Sequence, residues 1–117
     1  MHEDRLIDYL ELPSKDLAAT RRFFGKVFGW HFTDYGEEYT AFNSTAMQGG
    51  FYLNDKVSLT ATGGALVIFY CRNLEEVKQQ IEQADGKIIK PIFEFPGGKR
   101  FHFTEPGGSE FAVWSDQ

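Results

Sequence analysis

Apolar residues recur at helical spacing in two stretches of the chain. Leu74, Val77, Ile81 and Ala84 fall on one helical face, and Leu17, Phe24, Val27 and Phe28 draw a similar stripe. The spacing predicts helices over 15–29 and 72–86. Laid over each other at an offset of 57, Asp16 meets Asn73, Leu17 meets Leu74, Phe24 meets Ile81 and Gly29 meets Gly86. Asp16 and Asn73 suit N-caps, because their side chains accept from exposed backbone N–H groups. Asn73 with Glu76 resembles a capping box. Gly29 and Gly86 stand where a left-handed C-terminal turn favours glycine.

Strand-like runs flank both helices. Segments 6–13 and 65–71 precede them, and three short runs follow each: 30–34, 39–43 and 48–53, then 87–95, 100–104 and 110–115. Pro96–Gly97–Gly98 and Pro106–Gly107–Gly108 read as turns between the last three. The order strand–helix–strand–strand–strand therefore occurs twice. This predicts one α+β domain of two βαβββ modules, 1–54 and 65–117, joined by a polar linker, 55–64. A single module would leave a sheet face and two edges uncovered, and a second can cover them.

Composition sharpens this picture at one point. Aromatic residues make up 16% of 117 residues, with 12 Phe, 5 Tyr and 2 Trp, more ring bulk than a small core needs. Either the core or a cavity must take it. The formal charge of −5 without a basic run argues against nucleic acid and anionic membranes as partners. The lone Cys71 excludes an internal disulfide framework and any multi-cysteine zinc site. No apolar run reaches the roughly 20 residues of a membrane helix. The segment MHEDRLIDYL is acidic where a signal peptide would be basic. A cytoplasmic protein is the expectation.

The run LELPSKDLAATRRFFGKVFGW resembles the opening of the vicinal oxygen chelate superfamily, which holds glyoxalase I, bleomycin resistance proteins and extradiol dioxygenases. FTEPGGSEFAVW is similar to its closing hairpin, with Glu105 for the usual Asp and Ser109 for the usual Asn. The resemblance implies a curved mixed sheet around a cleft, with helices on the convex side. It also implies four inward His, Glu or Gln ligands for a divalent ion, a set suited to an oxygen-bearing substrate. Carried over, those positions fall on Tyr9, Leu66, Ala112 and one of Gly49, Gly50 or Phe51. Only Tyr9 offers a donor. No metal at the standard site and no cofactor are therefore expected.

Strand parity offers a further reading. If Tyr9 faces the cleft, so does Glu11; if Leu66 does, so does Tyr70; if Ala112 does, so do Glu110 and Trp114. The candidate ligand-binding residues are Tyr9, Glu11, Phe51, Tyr70, His102 and Trp114. Tyr9 is open to two readings, a hydrogen-bonder to a ligand or a filler of space that a metal once held. Parity leaves open which face of 100–104 meets the cleft, the one with Arg100 and His102 or the one with Phe101 and Phe103. Cys71 falls on the buried face, as a small hydrophobe. The expected function is metal-free binding of a small organic ligand in an aromatic cleft, by a homodimer. The alternative is a metal-dependent lyase, isomerase or dioxygenase with a displaced site built from Glu11, His102, Glu110 and Tyr9.

Overall fold

The computed structural model describes residues 2–117. The elements run β1 (Tyr9–Ser14), α1 (Leu17–Phe28), β2 (His31–Asp34), β3 (Tyr39–Asn43), β4 (Gln48–Leu53), β5 (Val67–Tyr70), α2 (Leu74–Gln83), β6 (Lys87–Phe95), β7 (Gly98–Thr104) and β8 (Glu110–Ser115). They form two four-stranded sheets, β1-β4-β3-β2 and β5-β8-β7-β6. In each, the strand before the helix pairs in parallel with the last strand of its half, and the other pairings are antiparallel. The repeat seen in the sequence is thus a repeat of topology. No helix among the described residues is long and apolar enough to cross a membrane.

Both helices begin where the side chains predict. Asp16 accepts from the Ala19 N–H at 3.1 Å, and Asn73 accepts from the Glu76 N–H at 3.1 Å. The return bond of a capping box, from the Glu76 side chain, is absent among the described residues. The C-termini differ. Gly29 takes the left-handed turn after α1 with φ 72°, but after α2 it is Asp85 that does so, with φ 73°. Gly86 is needed for another reason: a β-carbon there would lie 2.5 Å from Ile81 and 2.9 Å from Phe23.

One aromatic core joins the two sheets. Phe24 of α1 stacks on Trp30 at 4.7 Å and on Phe51 of β4 at 5.4 Å, and meets Phe111 of β8 edge-on at 5.1 Å. Phe23 reaches Phe103 of β7 at 5.7 Å, and Phe28 stacks on Phe69 of β5 at 4.1 Å. The inner faces of both sheets are thus fastened to one helix. Each such ring, fully buried, contributes about 1.5–3 kcal/mol. Cys71 packs at the margin of this core, and burial pushes its thiol pKa up. Most of the phenylalanine excess is therefore core.

Candidate functional site

The register settles which side chains face outward. Leu10 and Leu12 of β1, and Val67 and Phe69 of β5, pack against the core. Tyr9 and Glu11 lie on the other side of β1, and Ile68 and Tyr70 on the other side of β5, all four exposed. Glu11 pairs with Gly50, and Leu12 with Phe51. Phe51 is therefore on the inner face. It is fully buried against Phe24 and Phe42, which removes it from the candidate ligand-binding residues.

On the first sheet, Gly50 decides the arrangement. Tyr39 of β3 lies across it, so that a β-carbon at position 50 would fall on the Tyr39 hydroxyl and ring. Tyr39 donates to Glu11 Oε2 at 2.9 Å, and Tyr9 lies 2.7 Å from the Tyr39 oxygen. With the Tyr39 proton committed to Glu11, the Tyr9 hydroxyl is the donor in the second bond. Burial raises the Tyr39 pKa, and its bonds to Tyr9 and Glu11 raise it further. Tyr39 was assigned by sequence only to a strand. Its parity with the Tyr52 and Gly50 face was the signal that could have found it.

On the second sheet, His102 pairs with Ala112, and Arg100 with Trp114. His102 and Arg100 therefore face outward, while Phe101 and Phe103 enter the core. Tyr70 and Trp114 meet edge-on at 5.1 Å, and Phe95 joins Trp114 at 6.2 Å. Tyr70 also donates to Asp116 at 2.6 Å. The Arg100 guanidinium sits 5.4 Å from the Phe93 ring centre and 5.7 Å from that of Phe95, and the Lys90 ammonium 5.0 Å from Phe93.

His102 and Glu110 form a buried pair on this sheet, with His102 Nδ1 2.7 Å from Glu110 Oε2. Thr60, in the segment between the halves, donates its backbone N–H to Glu110 Oε1 at 2.8 Å and its hydroxyl at 3.0 Å. Burial works against the Glu110 carboxylate, but the bonds from His102 and Thr60 outweigh it and hold its pKa below the usual range. The segment expected as a polar linker is thus tied to β8, and Glu110 N–H also reaches the Ser58 carbonyl at 2.8 Å. Thr60 carried no sequence signal, because its partner lies 50 residues away.

The expected cleft residues fall into two sets, Tyr9 and Glu11 on one sheet, Tyr70, His102 and Trp114 on the other. Among the described residues, no side-chain hydrogen bond or ring contact joins the sets. No group of three or more His, Cys, Asp or Glu among the described residues could hold a metal ion. Where the resemblance places the family's ligands stand Tyr9, Leu66, Ala112 and one of Gly49, Gly50 or Phe51, and of these three Tyr39 covers Gly50. That donor set does not fit a divalent ion.

The family model of the Glyoxalase/Bleomycin resistance protein/Dioxygenase superfamily matches residues 6–113. The chain belongs to that superfamily. No curated protein sequence matches it. Among solved structures, the fosfomycin resistance protein FosX of Listeria monocytogenes superposes with a TM-score of 0.78 at 15% identity, covering 98% of this chain and 96% of that one. A family enzyme from Burkholderia phytofirmans PsJN gives 0.76 at 14%, covering 95% and 100%. Lactoylglutathione lyase from Agrobacterium tumefaciens gives 0.71 at 17%, covering 97% and 96%. At these identities the likeness is one of fold. Within that fold, the present chain keeps both βαβββ modules.

Proposed function

We propose that this superfamily member binds a small organic molecule on the outer face of its sheets, with no metal at the usual positions. One observation carries the reading. Tyr70, Trp114 and Phe95 make a ring cluster on the outer face of the second sheet, beside Ala112, where the family places a ligand. Tyr70 is 45% exposed although it is packed on Trp114. Half-exposed rings beside a few polar groups are the usual lining of a small-molecule site.

Exposure elsewhere on these faces supports a homodimer. Tyr9 and Ile68 are each more than 40% exposed on outer faces, and a second copy would cover them. Light scattering should then give twice the mass of one chain. A monomer at micromolar concentration would overturn the dimer.

Binding is tested by thermal shift against a library of aromatic small molecules, with Trp114→Ala and Tyr70→Ala as controls. A ligand present at 100 times its Kd adds about 2.7 kcal/mol to the wild type. The two variants should lose that response. A library with no stabilising compound removes the reading. Elemental analysis after purification without chelators checks the metal. A stoichiometric divalent ion would sink the metal-free part.

A further inference from the structure

The His102–Glu110 pair opens a question that packing does not answer. His102 is 4% exposed, and its Nε2 is buried without any hydrogen-bond partner. An unmatched buried polar atom of this kind is costly, so a native fold seldom keeps one that nothing ever fills. Glu110 and Thr60 determine its chemistry. An ionised carboxylate only accepts, so the contact at 2.7 Å makes Nδ1–H the donor. In the neutral ring, Nε2 is then a lone-pair acceptor. The Thr60 bonds at 2.8 and 3.0 Å hold the carboxylate that imposes this tautomer.

His102 and Glu110 line an open cavity of about 510 Å³, within the range of small-molecule sites. Leu59 and Ile89 supply apolar wall, and Lys87 and Lys90 stand at its lining. Neither lysine has an ion-pair partner among the described residues. The one carboxylate in the lining is Glu110, already engaged by His102 and Thr60. The lining thus combines two lysines without ion-pair partners among the described residues, Lys90 lying over the Phe93 ring, with a histidine whose buried Nε2 is unpartnered, although the chain as a whole is acidic.

We propose that this cavity binds a small organic acid that also carries a hydroxyl. The anionic group meets Lys87 and Lys90, and the hydroxyl donates to Nε2 of His102, which the ligand must uncover because the atom is buried in the free chain. The proposal rests on the reading that the outer face of the second sheet binds small molecules, and adds the ligand class and the atom that selects it.

Calorimetry on the full chain with mandelate and 3-hydroxybenzoate, against phenylacetate and benzoate, tests it. The hydroxy acids should bind about ten- to a hundredfold tighter than their counterparts lacking the hydroxyl, the worth of one buried hydrogen bond to a specific group. His102→Phe should erase that preference. Because this variant leaves Glu110 without its partner and can lose stability, nitrogen NMR of the wild-type imidazole is the second readout. Mandelate should move the Nε2 resonance and leave Nδ1 nearly still. Equal binding of hydroxy and deoxy acids, or a motionless Nε2, overturns this inference and leaves the aromatic site standing. Binding of neutral aromatics but of no acid does the same. If neither acids nor neutral aromatics bind, both readings fall.

Discussion

The ring of Tyr39 occupies the space in which any side chain at position 50 would begin. Of Gly49, Gly50 and Phe51, on one of which the resemblance places the family's fourth ligand, Gly50 shares the outer face with Glu11, and a ring from β3 fills the space a β4 side chain would take there. The ring brings its hydroxyl between Tyr9 and Glu11, at 2.7 and 2.9 Å.

Gly50→Ala should therefore act through Tyr39. The new methyl collides with the ring, and overpacking of this kind costs about 1–3 kcal/mol. Urea denaturation of Gly50→Ala, Tyr39→Ala and the double variant checks the origin. The second alanine should cost much less in the presence of the first. Additive losses would mean that the two positions do not share this space.

Phe24→Ala should be the most damaging single truncation in α1. Its ring touches Phe51 of one sheet and Phe111 of the other, at 5.4 and 5.1 Å. Deleting a buried phenylalanine costs about 3–5 kcal/mol. Because the ring joins both sheets, fluorescence of Trp30 in the first half and Trp114 in the second should report one transition in the chain that keeps Phe24. Two separated transitions would show that the halves unfold independently.

The end of α2 offers a paired test. Asp85 holds the left-handed conformation, φ 73°, that glycine adopts at little cost. Asp85→Gly should be neutral or stabilising by up to about 1 kcal/mol, because strain relief offsets the added freedom of the unfolded chain. Gly86→Ala should lose about 1–3 kcal/mol, since its methyl meets Ile81 and Phe23. Thermal denaturation of both variants decides it. Equal losses would contradict the assignment of the turn to Asp85.

These cases show what the amino-acid pattern carries. The helices, their N-caps and the inner residues of β1, β5 and β8 were legible, because periods of 3.6 and 2 determine which side chains meet the core. Phe51 was misplaced because Gly49–Gly50 precede it in its strand and blur the alternation. The turn after α2 was misread because both Asp85 and Gly86 can suit it; Asp85 takes the left-handed conformation, while Gly86 is glycine because Ile81 and Phe23 crowd it. The Tyr9–Tyr39–Glu11 and His102–Glu110–Thr60 groups depend on register and on a connecting segment folding back. Neither leaves a local trace.

Glu105 stands in the closing hairpin where the family usually has Asp, and its extra methylene has a use. Its carboxylate accepts from Thr20 of α1 at 2.8 Å and from the Gly107 N–H at 2.6 Å. The Thr20 oxygen lies 2.7 Å from Ser14 Oγ, which in turn accepts from the Asp16 N–H at 3.0 Å. This polar chain links the start of α1 to the hairpin of the other half. Oε2 of Glu105 is buried without a partner. Burial raises its pKa, and the bonds from Gly107 and Thr20 only partly offset this, leaving it at about 7. The folded protein therefore binds a proton that the unfolded chain, near 4.5, has released. Its favourable contribution is full below pH 4.5 and falls as pH rises, to be lost by about pH 7. The displacement from 4.5 to about 7 corresponds to about 3 kcal/mol. Glu110 acts in the opposite sense, since its lowered pKa adds stability that is lost as pH falls. That contribution is common to wild type and Glu105→Gln and cancels between them. The wild type should therefore lose about 3 kcal/mol relative to Glu105→Gln between pH 4.5 and 8, by urea denaturation at each pH. Parallel stability profiles would mean that Glu105 is ionised in the fold at little cost, and that the hairpin junction does not respond to pH.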